Sequence, residues 1–424
     1  MRNKYLYVTI ILFLVISNIQ YAQTKDLNKL ISTAIKVSPT IKMLMAKKQA
    51  AKNKIPQFSN LPDPMLTLGF RNMPTSSFSF SEDPMSQKTI GITQSFPFPG
   101  RLSAKEDVAA IDTSIINQEI KDAENEIRKL VSKAYYNLNY YRRAIFYSKE
   151  SRKLLFDIKD VVGVKYSVSS ATQQNLIKVQ LEITKIDDKI ESLKSRERSS
   201  LSKLNALLLQ STDKNIKTVL IDSIETIDLT VNQLEKLAKT NRPYLKGIQL
   251  LKEKDKLKQV SAEKEFYPNI SLGLQYSFRN QVTATSRYLN NFFSVVVGFS
   301  LPINYGGKKT AKVEEAISLQ NLQSEKYNSS LQFLESRFGS SIAELKSIEE
   351  RINLFKDGLL PQAQQNLKSA LASYQVNEVD FINVIDAQNQ LYEIETNLYR
   401  LKTSYLKQIA DLEFLTGANL SADR

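Results

Sequence analysis

The chain writes one structural unit twice, and that duplication limits what it can fold into more than any single motif does. Displacing the numbering by 204 sets Pro39 on Pro243, Pro64 on Pro268, and Leu66-Thr67-Leu68-Gly69 on Ile270-Ser271-Leu272-Gly273. A displacement of 205 sets Pro97 on Pro302. A displacement of 208 sets Tyr166-Ser167-Val168 on Tyr374-Gln375-Val376, Asn175 on Asn383 and Gln180 on Gln388. A drift of four residues is what small loop insertions produce. The copies are expected over 23–212 and 213–424, each with a helix, two strands and two long helices.

Residues 1–22 read as a secretory signal peptide. Arg2 and Lys4 give a basic start, Leu6 to Ile16 an apolar run too short to span a bilayer, and Ala22 a small residue at the cleavage point. No other apolar run approaches the roughly 20 residues that a membrane-spanning helix needs. An exported chain of this kind can cross a membrane only with strands.

The absence of Cys excludes disulfides and a lipid anchor on an N-terminal Cys. With no His either, a zinc site or a nucleophile–His pair is not expected. No Gly-rich phosphate loop or nucleophile motif occurs, so neither an enzyme nor a cofactor is expected. The formal charge of +14 is spread along helices among Glu and Asp, which fits solvated faces better than a nucleic-acid surface.

Sustained helical spacing follows the first strand pair. Ile116, Ile120, Ala123, Ile127, Leu130, Ala134, Leu138, Tyr141 and Ile145 recur at steps of three and four. Between Gly100 and Gly163 there is no Pro and no other Gly, so a helix of roughly 95 Å is expected, with a break over Gly163 to Ser170. The next helix carries a seam of Leu176, Val179, Ile183, Ile186, Ile190, Leu193, Leu201, Leu204 and Leu208. Its copy 208 residues on is Val384, Ala387, Leu391, Ile394, Leu398, Leu401, Ile409, Leu412 and Thr416, a coiled-coil-like spacing.

Four segments alternate with a period of two. Leu66, Leu68 and Phe70 form one apolar set, and Ile90, Ile92 and Phe96 another. Ile270, Leu272, Leu274, Tyr276 and Phe278 form the third, and Phe293, Val295, Val297, Phe299 and Leu301 the fourth. One greasy and one small or polar face is the pattern of a strand between lipid and lumen. Polar loops over 71–87 and 279–291 join the strands at one end. At the other end Pro97, Gly100 and Arg101, and Pro302, Gly307 and Lys308, turn strand into helix, which sets the basic residues at headgroup level. Four strands cannot enclose a lumen, and open edges are not tolerated in lipid, so several copies must share one barrel.

These features resemble the outer membrane efflux protein family, the TolC-like channels, over about Leu27 to Gly417. The most specific pieces are Leu61-Pro62-Asp63-Pro64, the junction Gln94 to Arg101, and Tyr374 to Gln388; the junction is similar to that of the heavy-metal efflux branch. The resemblance implies a membrane α/β fold. Three protomers of four strands each would make a 12-stranded outer-membrane β-barrel, continuous with a coiled-coil helical tunnel through the periplasm. It implies a passive conduit for drugs or metal cations, docked on a periplasmic adaptor (a membrane fusion protein) and an inner-membrane pump of the RND type. The competing reading, a periplasmic coiled-coil adaptor without a barrel, leaves the four strands unexplained.

The resemblance also points to the helical tips. The family's tip turn, Tyr-x-x-Gly, corresponds to Tyr374 with Asn377 at the glycine position; Asn is the next-best residue for a left-handed turn. Two aperture aspartates correspond to Asn383 and Asp386, and in the first copy Ser169 and Lys178 stand at the positions of Asn377 and Asp386. Three carboxylates crowded about an axis would attract cations. Tyr166, Ser169, Tyr374 and Asn377 are the residues expected at the tip turns and in adaptor docking.

Overall fold

The computed structural model describes residues 26–283 and 286–420. The expected signal peptide over 1–22 lies outside them. The elements are α1 (residues 26–37), α2 (Pro39–Ser59), β1 (Met65–Arg71), β2 (Gln87–Phe96), α3 (Arg101–Ser167) and α4 (Gln173–Leu207). After an irregular segment come α5 (Val231–Asn241), α6 (Pro243–Glu263), β3 (Ile270–Arg279), β4 (Phe292–Phe299), α7 (Lys308–Asn353), α8 (Leu360–Gln375) and α9 (Phe381–Thr416). Pro39 and Pro243 open α2 and α6, the helix position where a missing N–H costs nothing. No described helix is long and apolar enough to cross a membrane.

The chain divides into two compact units. One comprises Leu44–Glu119 and Lys246–Ser329. Its centre is one antiparallel sheet in the order β1-β2-β3-β4. The register brings Leu66, Ile92, Leu274 and Val295 into one row, and Leu68, Ile90, Tyr276 and Phe293 into the next. Because side chains alternate along a strand, these rows share one face. On the other face Thr67, Gly91, Gln275 and Ser294 form one row, and Gly69, Thr89, Ser277 and Phe292 another.

The two strand-to-helix turns are tied to the sheet through Asn269. Its Oδ1 accepts from the Arg101 guanidinium at 2.8 Å and from Phe98 N–H at 3.3 Å, and its N–H donates to Ser300 Oγ at 2.8 Å. Gly100 and Gly307 hold φ of 81° and 74°, values that a residue with a Cβ meets with strain. Asn304 Oδ1 then accepts from Lys309 N–H at 2.8 Å near the start of α7.

The second unit comprises residues up to Met43, Ile120–Leu245 and Ser330 onward. One of its cores gathers Ile31 and Ala34 of α1, Val131, Tyr135 and Leu138 of α3, and Leu204 of α4. The spacing read through Leu130 and Ala134 does not hold here: Leu130 is exposed and Val131 and Tyr135 are buried. A helix of 67 residues with 3.6 residues per turn cannot keep one straight stripe against its neighbours, so the buried face moves round by a residue. The seams of α4 and α9 are buried at Val179, Ile183, Ile186, Ile190, Leu193 and Leu204, and at Val384, Ala387, Leu398, Leu401, Ile409 and Leu412.

The irregular segment between α4 and α5 is held by tyrosine hydroxyls. Val219 N–H donates to Tyr135 at 3.2 Å, Ile221 N–H to Tyr399 at 3.1 Å, and Ile227 N–H to Tyr405 at 2.9 Å. Tyr399 in turn donates to Asn139 Oδ1 at 2.6 Å.

Two features depart from the sequence reading. Helix α3 runs through Gly163 without a break and ends only at Ser167. A single glycine inside a helix costs about 1 kcal/mol, which neighbouring packing absorbs. Between α7 and α8 lies a π-helical turn, Leu354–Leu359. Together α7, this turn and α8 have 46, 6 and 16 residues against the 67 of α3, one more in all. A π turn is how a helix takes in one extra residue without changing phase on either side.

Candidate functional site

Two tight turns, α3 to α4 and α8 to α9, carry Tyr166, Ser169, Tyr374 and Asn377. Both close in the same way. Ser169 has φ 59°, its N–H donates to Tyr166 O at 3.0 Å, and Ser170 N–H donates to Lys165 O at 2.7 Å. Asn377 has φ 64°, its N–H donates to Tyr374 O at 3.2 Å, and Glu378 N–H donates to Ser373 O at 2.9 Å. This pair of bonds around a left-handed residue is the Schellman ending of a helix. The left-handed turn expected at Asn377 is therefore present, and Ser169 makes the same turn with a residue less suited to it.

The next helices start alike. Thr172 caps α4, its hydroxyl accepting from Asn175 N–H at 3.4 Å. Asp380 stands at the same point before α9, with Asn383 N–H on its carbonyl at 3.0 Å.

Lys165 joins the two turns. Its ammonium donates to Asn377 Oδ1 at 2.5 Å and to Gln375 O at 3.0 Å, and lies 5.0 Å from the Tyr374 ring centre. The sequence sets Lys165 at the tip beside Tyr166 but does not show this bond, because its partners are more than 200 residues away.

The two tyrosines of the repeat differ in surroundings. Tyr374 is buried with Leu155, Ile158, Val162, Val179, Phe381 and Val384, and its ring meets Phe381 edge-on at 5.6 Å. Burial pushes its hydroxyl above the ordinary value, opposed by the Asn175 side chain. Tyr166 is 47% exposed. Tyr374 is thus a core residue of the tip, and Tyr166 is available to a partner.

Asn383 and Asp386 lie one turn apart on an exposed side of α9, with Val384, Ile385, Ala387 and Gln388 buried. Gln388 donates to Ser151 Oγ of α3 and fixes the rotation of α9 about its axis.

At the strand–helix turns, Pro97 follows β2 and Pro302 follows β4, and Lys308 begins α7. Arg101 turns onto Asn269, and neighbouring Lys312 binds Glu265 at 2.7 Å. Burial raises the Glu265 carboxyl, but the Lys312 bond and charge outweigh it and leave the group below its ordinary value.

The sheet's apolar face is open to its surroundings. Leu68 and Phe70 are each 70% exposed, Phe293 66% and Phe299 63%. Soluble monomers rarely leave so broad an apolar face uncovered. The outer edges of β1 and β4 pair with nothing among the described residues.

Residues 234–418 match the family model of the outer membrane efflux protein. The fold over 93% of the chain is that of VceC from Vibrio cholerae, an outer membrane protein, at 17% identity with 97% of that chain covered and a TM-score of 0.74. CusC, described for folding and transmembrane channel formation, gives 18% identity over 93% of this chain and 92% of its own, with a TM-score of 0.77. The MtrE outer membrane channel of Neisseria gonorrhoeae gives 14% over 93% and 89%, with a TM-score of 0.74. No curated protein matches the sequence. By sequence the second half of the chain is similar to the outer membrane efflux protein family, and the fold of the whole is that of these solved outer membrane channels.

Proposed function

We propose that the protein is the outer-membrane channel of a tripartite efflux system, a passive conduit for small solutes driven by an inner-membrane pump. The observation that carries this is the four-stranded sheet with one exposed apolar face, one small-residue face and two open edges. Lipid can cover the apolar face, but open strand edges in lipid leave backbone groups without partners at several kcal/mol each. Pairing β4 of one copy with β1 of the next removes both edges. Three copies then give a 12-stranded barrel, the assembly that likeness to the outer membrane efflux proteins favours.

On this reading the helices continue the barrel as a periplasmic tunnel, and the tip turns meet a periplasmic adaptor and a pump of the RND type. Exposed Tyr166 and Ser169, beside Asn377, are the docking residues, and Asp386 with Asn383 rings the aperture. Pro97, Gly100, Arg101, Pro302, Gly307 and Lys308 form the membrane-side collar. The paired caps at Ser169 and Asn377 favour two copies of one ancestral unit, divided near residue 212. Similar scores for VceC, CusC and MtrE favour no single branch, so drugs and metal cations stay equally eligible as cargo.

Edge pairing is open to a direct test because the chain has no native Cys. Thr67→Cys in β1 combined with single cysteines at Phe292, Ser294 or Val296 in β4 should oxidise to a covalent trimer, only when both strands carry one. Monomer alone across the β4 positions, from protein that extracts in detergent, would sink the shared barrel.

A further inference from the structure

The four strands contain three charged residues, Arg71, Lys88 and Arg279, and no Asp or Glu. All three lie in the last two rows at the loop end of the sheet, away from the helices. Arg71 pairs with Gln87, and Gln87 pairs with Arg279, so the two arginines share one row across three strands. They share a face as well, that of Gly69, Thr89 and Ser277. Lys88 is on the apolar face, 4.9 Å over the Phe80 ring.

Arg279 is held in place. Its guanidinium donates to Pro84 O, through Nε at 3.2 Å and also through Nη2, and lies 4.5 Å from the Phe292 ring centre. Neither contact neutralises its charge. Arg71 is exposed at the end of β1 and has no carboxylate partner among the described residues. The carboxylates of the adjoining loop are engaged locally: Ser77 Oγ donates to Glu82, and Asp83 accepts from Met85 N–H at 2.6 Å. Arg287 in the other loop adds a further cation.

We infer that Arg71 and Arg279 form an anion-binding ring at the outer mouth of the barrel, favouring the exit of anionic solutes and holding multivalent oxyanions. The inference rests on the channel reading, which turns the small-residue face inward and repeats the row around one axis. Rings of Arg or Lys select anions in pores because guanidinium and ammonium groups replace part of the anion's hydration shell. Guanidinium adds a planar fork of donors that matches an oxyanion. The mouth then has the opposite sign from the Asp386 aperture.

The test is single-channel recording of the full-length protein in planar bilayers at low ionic strength, with inorganic pyrophosphate added to one side at a time. Pyrophosphate should reduce the current reversibly from the loop side and leave it unchanged from the tip side. Arg71→Gln should raise the half-blocking concentration about tenfold, the change made by about 1.4 kcal/mol. Arg71→Lys should keep most of the block. Since Arg71 has no side-chain partner among the described residues, its replacement tests the ring without disturbing the loop that Arg279 holds. Equal block from both sides, or block unchanged in Arg71→Gln, overturns the ring and leaves the channel standing. Absence of any channel in the unmodified protein overturns both.

Discussion

Ser169 and Asn377, 208 positions apart, adopt the same left-handed conformation, φ 59° and 64°, inside the same pair of helix-ending hydrogen bonds. The conformation strains any residue with a Cβ by roughly 1–2 kcal/mol, less for Asn. Ser169→Gly should therefore stabilise the protein by about 1 kcal/mol, read as a higher urea midpoint at unchanged slope. Asn377→Val should destabilise it by more, since it adds β-branched strain and removes the acceptor of Lys165. A Ser169→Gly protein less stable than the parent would mean that the serine makes a contact in the assembly.

Tyr399 makes stability depend on alkaline pH. Burial pushes its hydroxyl up to about 12, against a small opposing effect of the Ile221 N–H and Arg143. Its ordinary value is near 10. A folded state that holds the proton more tightly than the unfolded state is stabilised fully below pH 10, and loses that contribution as pH rises through 12. Urea midpoints should fall between pH 10 and 12, by the equivalent of about 2 kcal/mol for this residue. Tyr399→Phe should cost about 1–3 kcal/mol at neutral pH, because Asn139 and Ile221 N–H lose a partner, and should flatten the alkaline decline.

The π turn predicts a tolerated deletion. Removing Gly358 takes out the one residue by which this arm exceeds α3, so the helix can run as α throughout and both flanks keep their faces. The deleted protein should fold, with slower amide exchange over 354–360. Loss of folding would show that the π turn is required by its neighbours.

Adjacent residues on β3 should respond in opposite ways. Leu274 is on the apolar face, and Gln275 on the small-residue face. Leu274→Arg should cost about 2–4 kcal/mol of membrane stability if it falls at the bilayer midplane, and Gln275→Arg much less. The comparison is read from the yield of folded protein in the outer membrane. Equal yields would remove the assignment of faces.

Asp386→Ala should reduce cation preference, read as a reversal potential closer to zero across a salt gradient. A folded channel with unchanged selectivity would count against a ring of charge at the tip.

The strands were legible in the sequence because their alternation needs no partner: Leu66, Leu68 and Phe70 show a period of two in seven residues, and the register confirms the shared face. The seams of α4 and α9 were legible for the same reason. Asn377 announced its turn through its own backbone preference. Arg71 and Arg279 did not announce their row, since it exists only through Gln87 and the register of three strands. Lys165 and Asn269 act across 212 and 168 positions, and no local pattern encodes such a bond. Gly163 misled because a glycine that ends one helix is tolerated inside another when its flanks are packed. Burial separated Tyr374 from Tyr166, and the sequence gives both the same neighbourhood.

The most direct measurement is conductance in planar bilayers of the detergent-extracted protein, with the mass of the same species determined in detergent. An oligomer that produces discrete channels is the result predicted by a sheet with two open edges and an apolar outer face, and a trimer is the copy number of the proposed barrel. A water-soluble monomer that produces none would contradict it.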